Sequence, residues 1–227
     1  MEKILSCIEK NQAAEAVALL EEKLKNPSFN KDYMFRKRDP KYPAVWTHTL
    51  FSYACMHGCF GFCTYLESKK EDPRVSSLLI EKTFPLAISV LHNQFHIADW
   101  LQEKFDIDCS AHNSWPLAVS AVHGNLRGVK YALAHNADVN IDNGRALRWA
   151  IAHNHFGIAK LILDHGVDFK NHIDGRDLVE TLVDQGQFQL AAKVVLCGAD
   201  PSGLGPRQQR KLKEHLATLK MVRKRIL

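Results

Sequence analysis

Apolar residues recur along most of this chain at helical intervals, in short blocks broken by Gly or Asn. Leu126, Val129, Ala132 and Leu133 form one such block, echoed by Phe156, Ala159, Ile162 and Leu163, and again by Phe188, Ala191, Val194 and Val195. Each block is preceded by another short helical segment that closes at Asn11, Gly58, Asn93, Gly124, Asn154 or Gly186, residues that tolerate the left-handed backbone ending a helix. Pro85 and Pro116 fall where a first helical turn begins, a place where the missing N–H costs nothing. The pattern predicts about six helix pairs. No pair this short buries its own apolar face, so neighbours must stack into a solenoid with a continuous core.

The repetition is in register. Trp115-Pro116-Leu117-Ala118, Ala121-Val122-His123-Gly124 and Asn136-Ala137-Asp138-Val139 return as Ala146-Leu147-Arg148, Ile151-Ala152-His153-Asn154 and Gly166-Val167-Asp168, then as Gly186-Gln187-Phe188 and Gly198-Ala199-Asp200. Weaker copies run through Pro85-Leu86-Ala87-Ile88 and Thr49-Leu50-Phe51-Ser52. These residues resemble the ankyrin repeat, with its Thr-Pro-Leu-His opening, paired alanines, Gly-His step and Gly-Ala-Asp close. The resemblance spans roughly residues 1–203, most strongly 83–201. It implies an all-α ankyrin-repeat solenoid over 1–205, with a long insertion at about 25–46, closed by a basic capping helix over 206–227.

Departures from the family pattern carry expectations of their own. The opening His is replaced by Ser52, Ala87, Ala118 and Arg148, and the Thr before Pro by Phe84 or Trp115, so the polar ties between units should be mostly missing and packing should replace them. Successive units lie 30 and then 32 residues apart where the family uses about 33, and the 30-residue step predicts stubby fingers between Val139 and Asn143.

Composition narrows the class. Of 227 residues 46% are hydrophobic and 24% charged, the balance of a packed soluble protein. No run is long and apolar enough to span a membrane, and the start lacks the apolar core of a signal peptide, so a cytoplasmic location is expected. Six cysteines without a Cys-x-x-Cys pair read as reduced thiols. The net charge is +5, but the last 21 residues, with eight Lys or Arg against one Glu, carry about +7, so the rest of the chain sums to about −2.

Enzyme signatures are missing: there is no phosphate-cradling glycine loop, no His-Glu-x-x-His and no Gly-x-Ser-x-Gly. No catalytic residue, cofactor or metal is therefore assigned. His57, His92, His123 and His153 hold one place in four successive units and should form a column. Stacked helices stand about 8–10 Å apart, too far for neighbouring imidazoles to share an ion without leaning. Backbone hydrogen bonding at the turn and a partner-binding or pH-sensitive strip are the competing readings of that column. Cys55, Cys59 and Cys63 read as buried structural thiols.

The resemblance implies a non-catalytic module that holds a partner protein in its concave groove. The candidate contact residues are the four histidines with Met56, Asn154, His155 and Gln185, joined by Trp115, Arg148 and Trp149 near the start of the inner helices. The insertion mixes aromatic with basic residues, and Tyr33, Phe35, Arg36, Lys37 and Arg38 extend the candidate surface. An alternative reading gives the insertion and tail to nucleic acid or an anionic membrane surface, through Arg207, Arg210, Lys211, Lys213, Lys220, Arg223, Lys224 and Arg225. Degenerate repeats of this kind also resemble pathogen or viral effectors that act on a host protein in the host cytosol. The free protein is expected to be a monomer.

Overall fold

The computed structural model describes residues 1–26, 35–38, 45–71, 83–169 and 175–226. The chain forms two compact units, Met1–His112 and Asn113–Leu227. The first holds α1 (Glu2–Glu9), α2 (Ala13–Leu24), β1 (Phe35–Arg38), β2 (Val45–His48), α3 (Leu50–His57), α4 (Phe60–Ser68), α5 (Thr83–Leu91) and α6 (Phe95–Phe105). The second is built from α7 (Ala111–Val122), α8 (Leu126–Ala134), α9 (Ile141–Ala152), α10 (Phe156–Asp164), α11 (Arg176–Asp184), α12 (Phe188–Leu196) and α13 (Pro206–Ile226). None of the described helices is long and apolar enough to cross a membrane.

Helices pair in sequence and then stack by kind. In the first unit α1 packs on α3 and α3 on α5, while α2 packs on α4. In the second, α9 packs on α11 and α10 on α12, and α13 closes the series against α12. This is the two-row stacking expected of helix pairs that cannot bury their apolar faces alone. Buried side chains recur at the same places: Phe51, Ala54 and Cys55 on α3, Leu117, Ser120 and Ala121 on α7, Leu147, Ala150 and Ile151 on α9, and Val179, Leu182 and Val183 on α11.

The punctuation follows the sequence closely. Asn11, Gly58, Asn93, Gly124, Asn154 and Gly186 all have positive φ, between 57° and 76°, so each first helix ends in the left-handed conformation expected there. Asn136, Gly166 and Gly198 do the same for second helices. Gly124 has a second reason to lack a side chain: a Cβ there would stand 2.6 Å from the His155 ring of the next pair.

The short fingers are built in an unexpected way. His112, Asn113 and Ser114 all carry positive φ, as do Asp142, Asn143 and Gly144 thirty residues later. Three left-handed residues in a row replace the usual finger, and the right-handed helix begins after them, which leaves Pro116 in a first turn. Such backbone costs an ordinary residue roughly 1–2 kcal/mol, and Asn, Asp and Gly are the types that tolerate it best. The Asp ahead of the turn adds local support, since Asp138 accepts a 2.8 Å hydrogen bond from the Asn140 backbone N–H, as Asp108 does from Ser110 and Asp200 from Ser202.

Polar ties between units are rebuilt rather than lost, which revises the expectation that packing alone replaces them. The Ser114 hydroxyl oxygen accepts from the Asp138 N–H, and the Asn140 side-chain oxygen accepts from the Asp168 N–H, both at 2.8 Å. One unit further on, the Arg176 guanidinium donates to Asp200 at 3.2 Å. Each link joins residues 24 to 28 apart, so each bridges successive pairs.

The all-helical plan carries one local addition. Within the 25–46 segment and just beyond it, β1 and β2 pair antiparallel, with Phe35 opposite His48, Arg36 opposite Thr47, Lys37 opposite Trp46 and Arg38 opposite Val45. Val45, Trp46 and Thr47 on β2 and Phe35 at the start of β1 are aromatic and β-branched types that favour extended pairing.

Candidate functional site

Trp115 enters α7 just after the left-handed turn, and Trp149 lies one helical turn into α9. Stacking of the two pairs brings them together edge to face, 5.8 Å between ring centres and 74° between planes. Arg145, one turn before Trp149 on α9, places its guanidinium carbon 5.6 Å from the centre of each ring. The same guanidinium pairs with the Asp142 carboxylate, itself on the left-handed turn. All three side chains are half-buried, each with one side against protein and one toward solvent.

Arg145 is the residue that sequence reasoning missed. Its signal was present, because it stands nine residues before Asn154 as Trp115 stands nine before Gly124. Equivalent places in successive units become neighbours when the units stack. Arg148, which was singled out, is half-buried one turn from Arg145 and makes no ion pair among the described residues.

The histidines divide. His57 is half-buried with its ring 4.5 Å from Tyr53, one turn earlier in α3. His92 and His123 are half-buried. His153 is exposed, with Nδ1 3.0 Å from the Trp149 carbonyl oxygen. His135 and His165, at the ends of α8 and α10, make the same contact with the carbonyl oxygens of Tyr131 and Leu161, both at 2.8 Å. Imidazole at a helix end thus caps a last-turn carbonyl, at Trp149 and Tyr131 beside a backbone N–H that already reaches the same oxygen. His155 lies against Gly124, with its ring 6.4 Å from that of His153. Asn154 and Gln185 are exposed.

Met56 is a correction. It is 6% exposed, because every residue of α3 from Leu50 to Met56 is buried, so it belongs to the core and offers nothing to a partner. Tyr33 falls outside the described residues; Phe35, Arg36, Lys37 and Arg38 make up β1, in the first unit.

On α13, Leu212 is buried while Arg207, Arg210, Lys211 and Lys213 are exposed. The Phe188 ring of α12 is covered by His215, stacked at 5.6 Å, and by the Lys211 ammonium at 5.4 Å. The first half of the helix therefore seats Leu212 on the last pair and presents Arg207, Arg210, Lys211 and Lys213 outward. Lys220, Arg223, Lys224 and Arg225 lie on its final turns.

The four buried cysteines are chemically quiet. Cys55 and Cys63 approach to 3.7 Å between sulfurs with no exposure, and Cys59 and Cys109 are buried as well. Burial, reinforced by the carboxylates of Asp108 and Asp99, pushes the Cys109 thiol up to about 12, and burial raises Cys59. The hydrogen bond to Cys55 and then burial raise Cys63. A protonated thiol is a poor nucleophile and a poor metal ligand. Among the described residues no group of three or more His, Cys, Asp or Glu is placed to hold a metal ion. A groove of about 710 Å³ runs between α10, α12 and α13, floored by Phe156, Leu163, Leu190 and Leu219; the Lys193–Asp164 ion pair lies in its wall.

Comparison with family models matches residues 86–173 to ankyrin repeats, in three copies. No curated protein matches the sequence.

Proposed function

Because residues 86–173 are ankyrin repeats, which are generally protein-interaction modules, we propose that this chain is a non-catalytic module that binds a partner protein through the inner-helix face of its second unit. One observation carries the reading: the half-exposed Trp115, Trp149 and Arg145 cluster at the start of α7 and α9. Tryptophan and arginine are the residue types that dominate binding energy when a partner excludes water from them. These two rings are already locked against each other, so binding costs little further ordering. His153, Asn154 and Gln185 extend the polar margin of the same unit. A cytosolic setting, including a host cytosol for an effector, suits cysteines that form no disulfide.

Exposed Arg207, Arg210 and Lys213 favour a second reading, an anionic nucleic-acid or membrane partner for the tail. Salt separates the two. The experiment captures partners from a eukaryotic lysate on the immobilised chain, identifies them, and measures their affinity at low and moderate salt with Trp115→Ala and Trp149→Ala variants of verified fold. The protein-binding reading expects each variant to weaken binding by roughly 30-fold or more, a loss of about 2 kcal/mol, with little salt dependence. Capture that survives both substitutions, or affinity that collapses by about 10³ between low and moderate salt, overturns it.

A further inference from the structure

The charges around the tryptophan pair are unevenly spent. Arg145 is neutralised by Asp142 and flanked by both rings. Arg148 lies three residues further along α9, on the same helical face. It is half-buried, and no carboxylate among the described residues pairs with it. The place it occupies, six residues before the closing Asn or Gly, is Ala118 in the preceding unit and Glu180 in the following one. The place of Arg145 is likewise Trp115 before and Asp177 after. From α7 to α11 these places therefore run from aromatic and neutral, through Arg148, unpaired among the described residues, to acidic.

We infer that the partner is an extended protein segment carrying a carboxylate beside an aromatic or aliphatic side chain, the carboxylate seated on Arg148 and the apolar group against Trp115 and Trp149. This rests on the protein-binding reading above and adds the chemistry of the occupant. A guanidinium with no counter-ion among the described residues gains most from a carboxylate that approaches it in the plane of its N–H groups. The apolar group belongs on the α7 side, against the half-exposed Trp115 ring, since Ala118, at the place of Arg148, is buried and brings no charge to the surface there. A basic segment is disfavoured at Arg148 itself, and an acidic run extending toward α11 meets Asp177 and Glu180. The recognised feature is thus a single acid next to a bulky apolar residue, not a polyacidic tract.

The test selects displayed peptides of about 12 residues against the intact chain, then measures the winners by fluorescence anisotropy. Winners are expected to carry Asp or Glu within about three positions of Phe, Tyr, Trp, Leu or Ile. Arg148→Glu should weaken them by about tenfold or more, Arg148→Lys by less, and Lys213→Glu, on the tail, by under about twofold. Thermal melts of each variant establish that the fold is retained. Winners that lack an acid, winners rich in Lys or Arg, an unchanged affinity in a folded Arg148→Glu variant, or no selection at all would each overturn the inference. Should the lysate partner still require Trp115 and Trp149 while ignoring Arg148→Glu, the protein-binding reading stands and this one falls.

Discussion

Leu147→Ala is expected to lower the stability of the second unit by about 2–5 kcal/mol, the range for emptying a fully packed leucine site, whereas Leu126→Ala should cost less than about 1 kcal/mol. Both are leucines on short helices of the same unit. Leu147 is 0% exposed on α9, which packs on both α10 and α11, while Leu126 opens α8 with 44% of its surface in water. Truncating Leu147 removes apolar area and leaves a hole between stacked pairs that cannot close without shifting Ala150 and Ile151 on the same helix. The loss should appear as a fall of on the order of 10 °C in the unfolding midpoint of the second unit, followed by circular dichroism. Equal costs at the two sites would mean that the faces are assigned wrongly.

A second large effect is expected at the closing helix. Leu212 is 2% exposed between α13 and the last pair, and Leu212→Asp would put an unpaired carboxylate against apolar surface. A cost of at least about 3 kcal/mol follows from the lost burial and the stranded charge together. Changing Arg207, Arg210 and Lys213 to Gln should cost no more than about 0.5 kcal/mol each, because they are exposed and Arg210 makes only a 3.7 Å surface pair with Glu214. Urea melts of the two sets separate the helix as a cap from the helix as a charged surface. If the charge variants destabilise as much as Leu212→Asp, the seating of α13 is other than described.

The repeat architecture was legible because it is written in local terms. A residue that must end a helix in left-handed backbone is Gly or Asn wherever the chain is read, and all six such positions behave as the spacing says. The shortened fingers were legible too, since a 30-residue period leaves too little chain for a full one. How they shorten was not, because three successive left-handed residues at 112–114 and 142–144 break the expectation that such backbone comes one residue at a time. Contacts between units were the hardest to read. The Asp138 to Ser114 and Asp168 to Asn140 links, like the position of Arg145 between two tryptophans, depend on residues about 30 apart meeting by stacking, and only alignment of equivalent places exposes them. Met56 was misjudged for a related reason: its neighbour His57 is polar, but the helix carrying both is covered on all sides up to Met56.

The proposal stands on the stacking that brings Trp115 and Trp149, thirty-four residues apart in sequence, into edge-to-face contact at 5.8 Å. Two indoles so close couple their electronic transitions, so circular dichroism in the tryptophan region tests that contact directly. The native chain should show a paired positive and negative band that disappears to the same extent in Trp115→Phe and Trp149→Phe, with helical content unchanged and with no such loss in Trp100→Phe. A native spectrum without the couplet, or one that survives either substitution, would contradict the arrangement of the repeats and the binding surface built on it.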